Sequence, residues 1–353
     1  MEWLNGWYIG LYFTLIFFIF LSIGLKNRKI LGIFICILIL FSGFRYGAGI
    51  DFFIYEHLVL EGMDYELQRI EPLSRLLMVV SKYFDVSFLF FLSTSFLYMY
   101  SIVIGLKRFD SYSAFTIYMF TLFTLSFLSS FGFVRQFVAT GILFVAFSYL
   151  FRGKSKRFIL VSLLATLFHY SSIVYVLFYF IRYFIQRNFK FWVYVLLIIA
   201  GLLSTELISF LIIKIGFYAH YFLFYSDGEV AGVKIYYSLL LVSLSILFVE
   251  TFFVNKKKIN TLLSYSKNMV FISLFMYSAL LPFGEKFVRI SYYLIPFYYV
   301  WAYQIYKGIS SKEVKIIYLL FIVLICSFYY FSTLYFAQFS SRGDFLNNFR
   351  LNF

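Results

Sequence analysis

Long apolar runs joined by short basic linkers constrain this chain more than any other feature. Residues 11–25, LYFTLIFFIFLSIGL, are apolar on every side. Comparable runs lie at roughly 7–25, 29–44, 86–106, 111–129, 131–151, 158–181, 190–205, 233–254, 265–282, 289–306 and 314–337. A helix needs about 20 apolar residues to cross a hydrocarbon core. The runs therefore predict an all-α, polytopic transmembrane helical bundle. A β-barrel strand would alternate polar and apolar residues, and these runs do not. The chain is 63% hydrophobic and 13% charged, whereas a soluble domain is about half apolar and about a quarter charged. A cytosolic enzyme, a disulfide scaffold and a disordered chain are excluded. Cys36 and Cys326 sit inside apolar runs and read as small core residues rather than a disulfide. No small-residue cleavage site follows the first run, which reads as an anchored helix rather than a signal peptide.

The linkers carry the sidedness. Cations group at Lys26, Arg28 and Lys29, at Lys107 and Arg108, and at Arg152, Lys154, Lys156 and Arg157. Further groups are Arg182, Arg187 and Lys190, then Lys256, Lys257, Lys258 and Lys267, then Lys307, Lys312 and Lys315. The positive-inside rule puts all six groups on the cytoplasmic side. The run at 158–181 lies between two of them, yet two full crossings need about 40 residues. A hairpin of two short helices, turning at His169, Tyr170, Ser171 and Ser172, satisfies both conditions. Its tip must be buried in protein or beside water. About 12 membrane segments follow, in one integral membrane domain over residues 1–353, with both termini outside. The formal net charge of +14 is then a topology signal facing anionic lipid. No nucleic-acid partner follows from it.

The unusual ionisable residues fall on the outer side. The first outer loop spans residues 45–85, with Leu73 to Phe84 spaced to lie along the interface as a helix. A second outer loop spans 205–232 and ends in Ser226, Asp227, Gly228 and Glu229. Arg135, His169 and Arg289 lie in or beside apolar runs, where an ionisable group is a functional candidate by default. The sequence has no phosphate-binding glycine loop, HExxH, CxxC or GxSxG motif. The acid-rich stretch 56–71 has no metal-ligand spacing and reads as a solvated loop. No metal and no cofactor are expected.

Five segments coincide in order and spacing: 45-RYGAGIDFFIY-55, 71-EPLSRLL-77, 130-SFGFVRQFVATGILFVAF-147, 165-ATLFHYSS-172 and 287-FVRISYYLIPFYYV-300. Together they resemble the EpsG/Wzy family of bacterial polysaccharide polymerases, over about residues 7–305. The resemblance implies a GT-C-like membrane glycosyltransferase of the bacterial inner (plasma) membrane, with its active site facing the periplasm or exterior. Such proteins join oligosaccharide repeat units carried on undecaprenyl diphosphate into O-antigen, capsule or exopolysaccharide. The growing chain moves to the non-reducing end of a new unit. The lipid-linked oligosaccharide and membrane lipid are the implied partners, with a chain-length regulator and a flippase as further ones.

That reaction needs a grip on a diphosphate leaving group and a base for a sugar hydroxyl. Arginine suits the first task, because it is always charged and binds phosphate oxygens in a fork. Arg135 and Arg289 are the first candidates and Arg45 the third, against the plain reading of an ion pair or an interfacial side chain. The candidate bases are His169, Asp51 and Glu71. Asp51 also reads as a partner for Arg45, and Glu71 as a cap on the helix that Pro72 begins. Tyr55, with Tyr46 and Tyr170, is a candidate for stacking on sugar. A ligase or other GT-C transferase would use the same donor. A flippase would need polar groups reachable from both sides, and here they lie towards one.

Overall fold

In a computed structural model, residues 5–204, 232–255, 259–337 and 346–351 are described, together with residues 207, 210 and 214. The expected outer loop at 205–232 therefore lies almost wholly outside the described residues, as do Lys256, Lys257 and Lys258. Among the described residues the backbone is almost all helical. In chain order it forms α1 (Gly6–Gly24), α2 (Lys29–Gly43), the two-residue strand β1 (Arg45–Tyr46), α3 (Phe52–Leu60), α4 (Asp64–Leu67), α5 (Pro72–Tyr83) and α6 (Phe88–Arg108). Then come α7 (Ala114–Leu122), α8 (Val134–Phe151), α9 (Ser155–Thr166), a 3-10 helix (Tyr170–Tyr179) and α10 (Phe191–Leu203). The last are α11 (Val233–Phe253), α12 (Thr261–Leu280), α13 (Glu285–Val288), α14 (Pro296–Gly308), α15 (Lys312–Ala337) and β2 (Arg350–Leu351). Five of these, α1, α6, α8, α11 and α15, are long and apolar enough to cross a membrane. The chain divides into two compact units, residues 1–179 with 319–353, and residues 180–318.

The first unit is built around α8, which is buried along most of its length and packs against α6 and α9. Gly141 permits the close approach to α6: a Cβ there would lie 2.9 Å from the Tyr98 carbonyl oxygen. Small residues serve this purpose between apolar helices. The unit has two chemically distinct ends. At one, Asn5 Nδ2 donates to the Phe349 carbonyl at 2.8 Å, Arg45 and Tyr46 pair with Leu351 and Arg350, and Phe349 stacks on Phe41 at 4.4 Å. At the other, Arg28 donates to the Tyr112 carbonyl at 3.3 Å, Arg108 to Ser148 Oγ at 2.5 Å, and Arg152 to the Arg108 carbonyl. The helices thus carry the first three basic groups to one end and the loop that begins at Arg45 to the opposite one.

The hairpin expected at His169 is present as α9, a turn over Leu167 to His169, and a 3-10 helix packed back on α9. With 12 and 10 residues, the arms are about 18 Å and about 20 Å long. Each is shorter than the ~30 Å hydrocarbon core. Phe158 near the start of α9 and Phe178 near the end of the 3-10 helix both pack on Phe147 of α8, so the arms return to one level. The 3-10 form follows from the sequence: Ser172, Tyr175 and Phe178 are its buried residues, and three residues per turn align that spacing on one face.

Two expected spans break instead. The run at 111–129 forms nine-residue α7, an irregular stretch through Leu125 at φ 54°, and a 3-10 turn over Leu128–Phe131. Phe127 and Phe131 are fully buried there, and Ser130 Oγ donates to the Phe127 carbonyl at 2.6 Å. Irregular backbone is tolerated at depth when protein surrounds it in this way. The run at 289–306 splits into a 3-10 turn (Arg289–Leu294) and α14, with Pro296 where its missing N–H leaves no bond unmade. About 12 segments were expected from run length, which measures apolar environment and does not distinguish lipid from protein interior.

In the second unit, α12 packs against α10 and α14. Buried Lys267 pairs with buried Glu250, whose second oxygen accepts from Trp301 Nε1 at 2.7 Å. Asn188, Asn260 and the Val254–Ile309 bridge lie towards that end of α12. Gly232, Tyr277, Glu285 and Arg289 lie towards the other.

The loop after β1 depends on one glycine. Gly49 has φ +109°, and a Cβ there would lie 2.1 Å from the Phe131 carbonyl oxygen. Gly49→Ala is expected to destabilise the protein by roughly 2 kcal/mol or more, read as a lower melting temperature in detergent. An unchanged melting temperature would show that this loop contact does not hold the fold.

Candidate active site

One apolar cluster holds the elements that carry the site. Phe52, Tyr55, Val59, Leu67, Ile70, Met78, Phe90, Phe91 and Val134 pack together and so lock α3, α5, α6 and the start of α8. The hydrophobic face of α5 points the other way. Its buried residues are Ser74, Met78 and Ser81, while Leu76, Val79, Val80 and Tyr83 are exposed. Their i, i+3, i+4, i+7 spacing forms one stripe, the pattern of a helix lying in an interface. The buried face is fastened to the hairpin tip: Leu73 N–H donates to the Leu167 carbonyl at 3.0 Å and Ser74 Oγ to the Phe168 carbonyl at 3.0 Å. Sequence analysis did not single out Ser74, although it lies in the quoted segment 71-EPLSRLL-77.

This latch brings Glu71 against His169. Glu71 stands at the N-cap of α5, but its side chain does not cap the helix. One carboxylate oxygen, Oε2, accepts from Arg135 Nη1. The other, Oε1, lies 2.9 Å from His169 Nδ1 and 3.4 Å from the Tyr170 backbone nitrogen, which donates to it. Arg135 Nε donates to the Tyr55 hydroxyl at 3.0 Å, and its guanidinium lies over the Tyr55 ring. The Glu71 side chain is 5% exposed, while those of Arg135 and His169 are 24% and 28% exposed. A buried carboxylate thus orients two groups that reach solvent.

The charge state follows from the partners. Burial raises the Glu71 carboxyl, but the hydrogen bond to His169 and the charge of Arg135 outweigh it and hold the group below its usual value of 4.5. An ionised carboxylate can only accept, so His169 donates from Nδ1, and in the neutral imidazole Nε2 is then the acceptor. That nitrogen and Arg135 Nη2 have no hydrogen-bond partner among the described residues. The site therefore offers one proton acceptor and one cationic pair of N–H donors side by side. Glu71 has both oxygens engaged, so its geometry is that of a positioning group and not of a free base.

The other candidates stand elsewhere. Arg45 is buried, donating to the Ser42, Ala48 and Phe131 carbonyls, with Phe91 and Phe131 rings against it at 4.6 Å and 4.9 Å. Burial pushes its guanidinium down to about 9, so it stays charged at neutral pH. Charge-assisted hydrogen bonds of roughly 1.5–3 kcal/mol each offset that burial. Arg45 clamps β1 to the Phe131 turn just before α8. Asp51 is half-buried at the start of α3, and its charge is felt by Tyr55. Arg289 belongs to the second unit, where it pairs with Glu285 one helical turn away, at 3.1 Å. Of the seven expected residues, Tyr55, Glu71, Arg135 and His169 come together.

The lowered Glu71 value has a consequence for stability. Its contribution is fully present above pH 4.5, the unfolded value, and is lost as pH falls through the lower folded value. Detergent-solubilised protein should lose melting temperature on acidification through that range, and Glu71→Gln should lack that part of the pH dependence. Equal pH slopes in both proteins would refute the assignment.

A model of the EpsG family matches residues 28–348, which include all seven candidate residues. No curated protein and no solved structure matches the chain. Its apolar helices and this match make the chain a membrane-embedded member of the EpsG family, a membership that supports a polysaccharide polymerase.

Proposed function

We propose that the protein is a membrane glycosyltransferase that polymerises lipid-diphosphate-linked oligosaccharide units. The observation that carries this reading is the Glu71–His169–Arg135 cluster, in which a base and a phosphate-binding cation share one buried carboxylate. His169 Nε2 takes the proton from an acceptor sugar hydroxyl. That oxygen forms the new glycosidic bond at the donor's anomeric carbon as the bond from that carbon to the diphosphate oxygen breaks. The electron pair leaves with the lipid diphosphate, whose charge Arg135 Nη2 holds. Diphosphate needs no proton donor if its charge is stabilised. Glu71 keeps His169 in the productive tautomer, as the carboxylate does in other acid–histidine pairs, and Tyr55 fixes the plane of the guanidinium. The site lies at the end of the first unit opposite the basic linkers, and the positive-inside rule supports reading that end as the outer one. Polymerising growth, with the growing chain passed to the non-reducing end of a new undecaprenyl-diphosphate-linked unit, is the form of the reaction that fits the family.

The test is reconstitution with candidate oligosaccharides on undecaprenyl diphosphate, with products separated by size. A ladder is expected. His169→Ala should lower its rate by about 10²–10⁴-fold, the usual contribution of a general base. Arg135→Lys should lose most of the activity, because one ammonium cannot hold Glu71, Tyr55 and the diphosphate at once as the guanidinium does. The ladder should persist in chelator, since the arginine carries the leaving-group charge. A single transfer to a different acceptor would indicate a ligase instead, and movement of intact lipid-linked sugar across vesicles would indicate a flippase.

A further inference from the structure

The proposed site has no net charge of its own to offer a diphosphate. Glu71 and Arg135 cancel, and His169 is neutral when it acts as the base. The charges of Arg135, Glu71 and Asp51 are all felt at Tyr55, and Tyr55 is felt in turn at Arg45. Two guanidinium groups are thus set against two carboxylates. Arg45 is engaged by three backbone carbonyls. Arg135 is engaged by Glu71 and Tyr55, which leaves Nη2. Each phosphate of a lipid diphosphate carries negative charge. One free nitrogen on a neutralised arginine does not balance both, so the ligand calls for a further cation.

Helix α5 supplies one. Arg75 follows Ser74, the fully buried residue bonded to the hairpin tip. The Arg75 N–H donates to the Glu71 carbonyl at 2.8 Å, so the two residues lie one turn apart. Residues four apart on a helix have Cβ atoms about 5–6 Å from each other, a gap that an arginine side chain spans. Lys82, a further two turns along the same flank, is engaged by the Gly62 carbonyl at 2.5 Å. Arg75 is half-buried, and its guanidinium has no ion-pair or hydrogen-bond partner among the described residues. A guanidinium is always charged, and partial burial without acceptors is unfavourable. Arg75 also borders the exposed stripe of Leu76, Val79, Val80 and Tyr83, with Val79 one turn beyond it. A lipid whose tail lies in the bilayer brings its diphosphate to this boundary between the apolar stripe and the Glu71 flank.

We infer that Arg75 binds the lipid-side phosphate of the diphosphate donor, while Arg135 holds the sugar-side phosphate. The assignment rests on the lipid-diphosphate reading of the site. The two arginines then differ in their kinetic roles. The sugar-side phosphate gains charge as its bond to the anomeric carbon breaks, so its contact with Arg135 strengthens in the transition state. The lipid-side phosphate keeps its charge throughout, so Arg75 binds substrate and transition state alike. Uniform binding of that kind lowers KM without raising kcat.

The test is binding of undecaprenyl diphosphate and undecaprenyl monophosphate to the full-length purified protein by native mass spectrometry, with donor kinetics measured beside it. Wild-type protein is expected to hold the diphosphate at least about tenfold more tightly than the monophosphate, as for a hydrogen bond to a charged group. Arg75→Gln should abolish that preference and leave monophosphate binding unchanged. Its KM for the donor should rise about tenfold at an unchanged kcat. Its melting temperature should match that of the wild type, because the Arg75 guanidinium has no partner to lose. Arg69→Gln, at an exposed position two residues before Glu71, is the control and should keep the preference. An undiminished preference in Arg75→Gln, an equal loss of both ligands, or a fall in kcat at unchanged KM would each overturn the assignment. Binding needs no turnover, so it reports on Arg75 whether or not a ladder forms, while the wild-type ladder reports on the polymerase reading.

Discussion

The Glu71 carboxylate is the constraint around which one end of the first unit is arranged. A buried carboxylate is expensive unless its oxygens are satisfied. Here Arg135 and His169 satisfy them from 64 and 98 residues away in sequence. The loop that begins at Arg45, the start of α8 and the hairpin tip must therefore meet at one point. The Leu73 and Ser74 hydrogen bonds to the hairpin tip act in the same direction. Removing Arg135 would leave the buried carboxylate without its countercharge, whereas removing His169 would leave one of its oxygens with a weaker set of donors.

The hairpin explains how a polar group comes to be held there. Two arms of less than membrane thickness place a chain reversal against α5. A reversal exposes backbone groups, and those groups need partners at depth. The Leu167 and Phe168 carbonyls find them on α5, and the Tyr170 N–H finds one on Glu71. The same polar economy that makes the tip stable presents His169 with a fixed tautomer.

The two buried acid–base clusters differ in what they leave open. Lys267 and Glu250 are each nearly inaccessible, and both oxygens of Glu250 have donors. That cluster is suited to organising α12 and the residues around Asn188. In the Glu71 cluster the carboxylate is closed, but its partners are about a quarter exposed. The first pattern positions structure, while the second has capacity left for a substrate.

Much of this was legible in the sequence, because burial and sidedness are written locally. Apolar runs marked the helices, basic linkers marked one end, and the 24-residue run between two basic groups implied the reversal at His169. The quoted segments contained Tyr55, Glu71, Arg135 and His169. They also contained Arg45, Asp51 and Arg289, with nothing to separate them. Run length missed the break after α7, since a buried loop rich in phenylalanine is as apolar as a span. Only the tertiary structure decided that Glu71 turns away from its own helix to join Arg135 and His169, and that Arg45 reaches the Phe131 carbonyl; the Arg289–Glu285 pair, one helical turn apart, was already open in the sequence. The physical reason is that hydropathy is a property of each residue with its near neighbours. The pairing of a charge depends on which distant segments packing brings within about 3 Å of it.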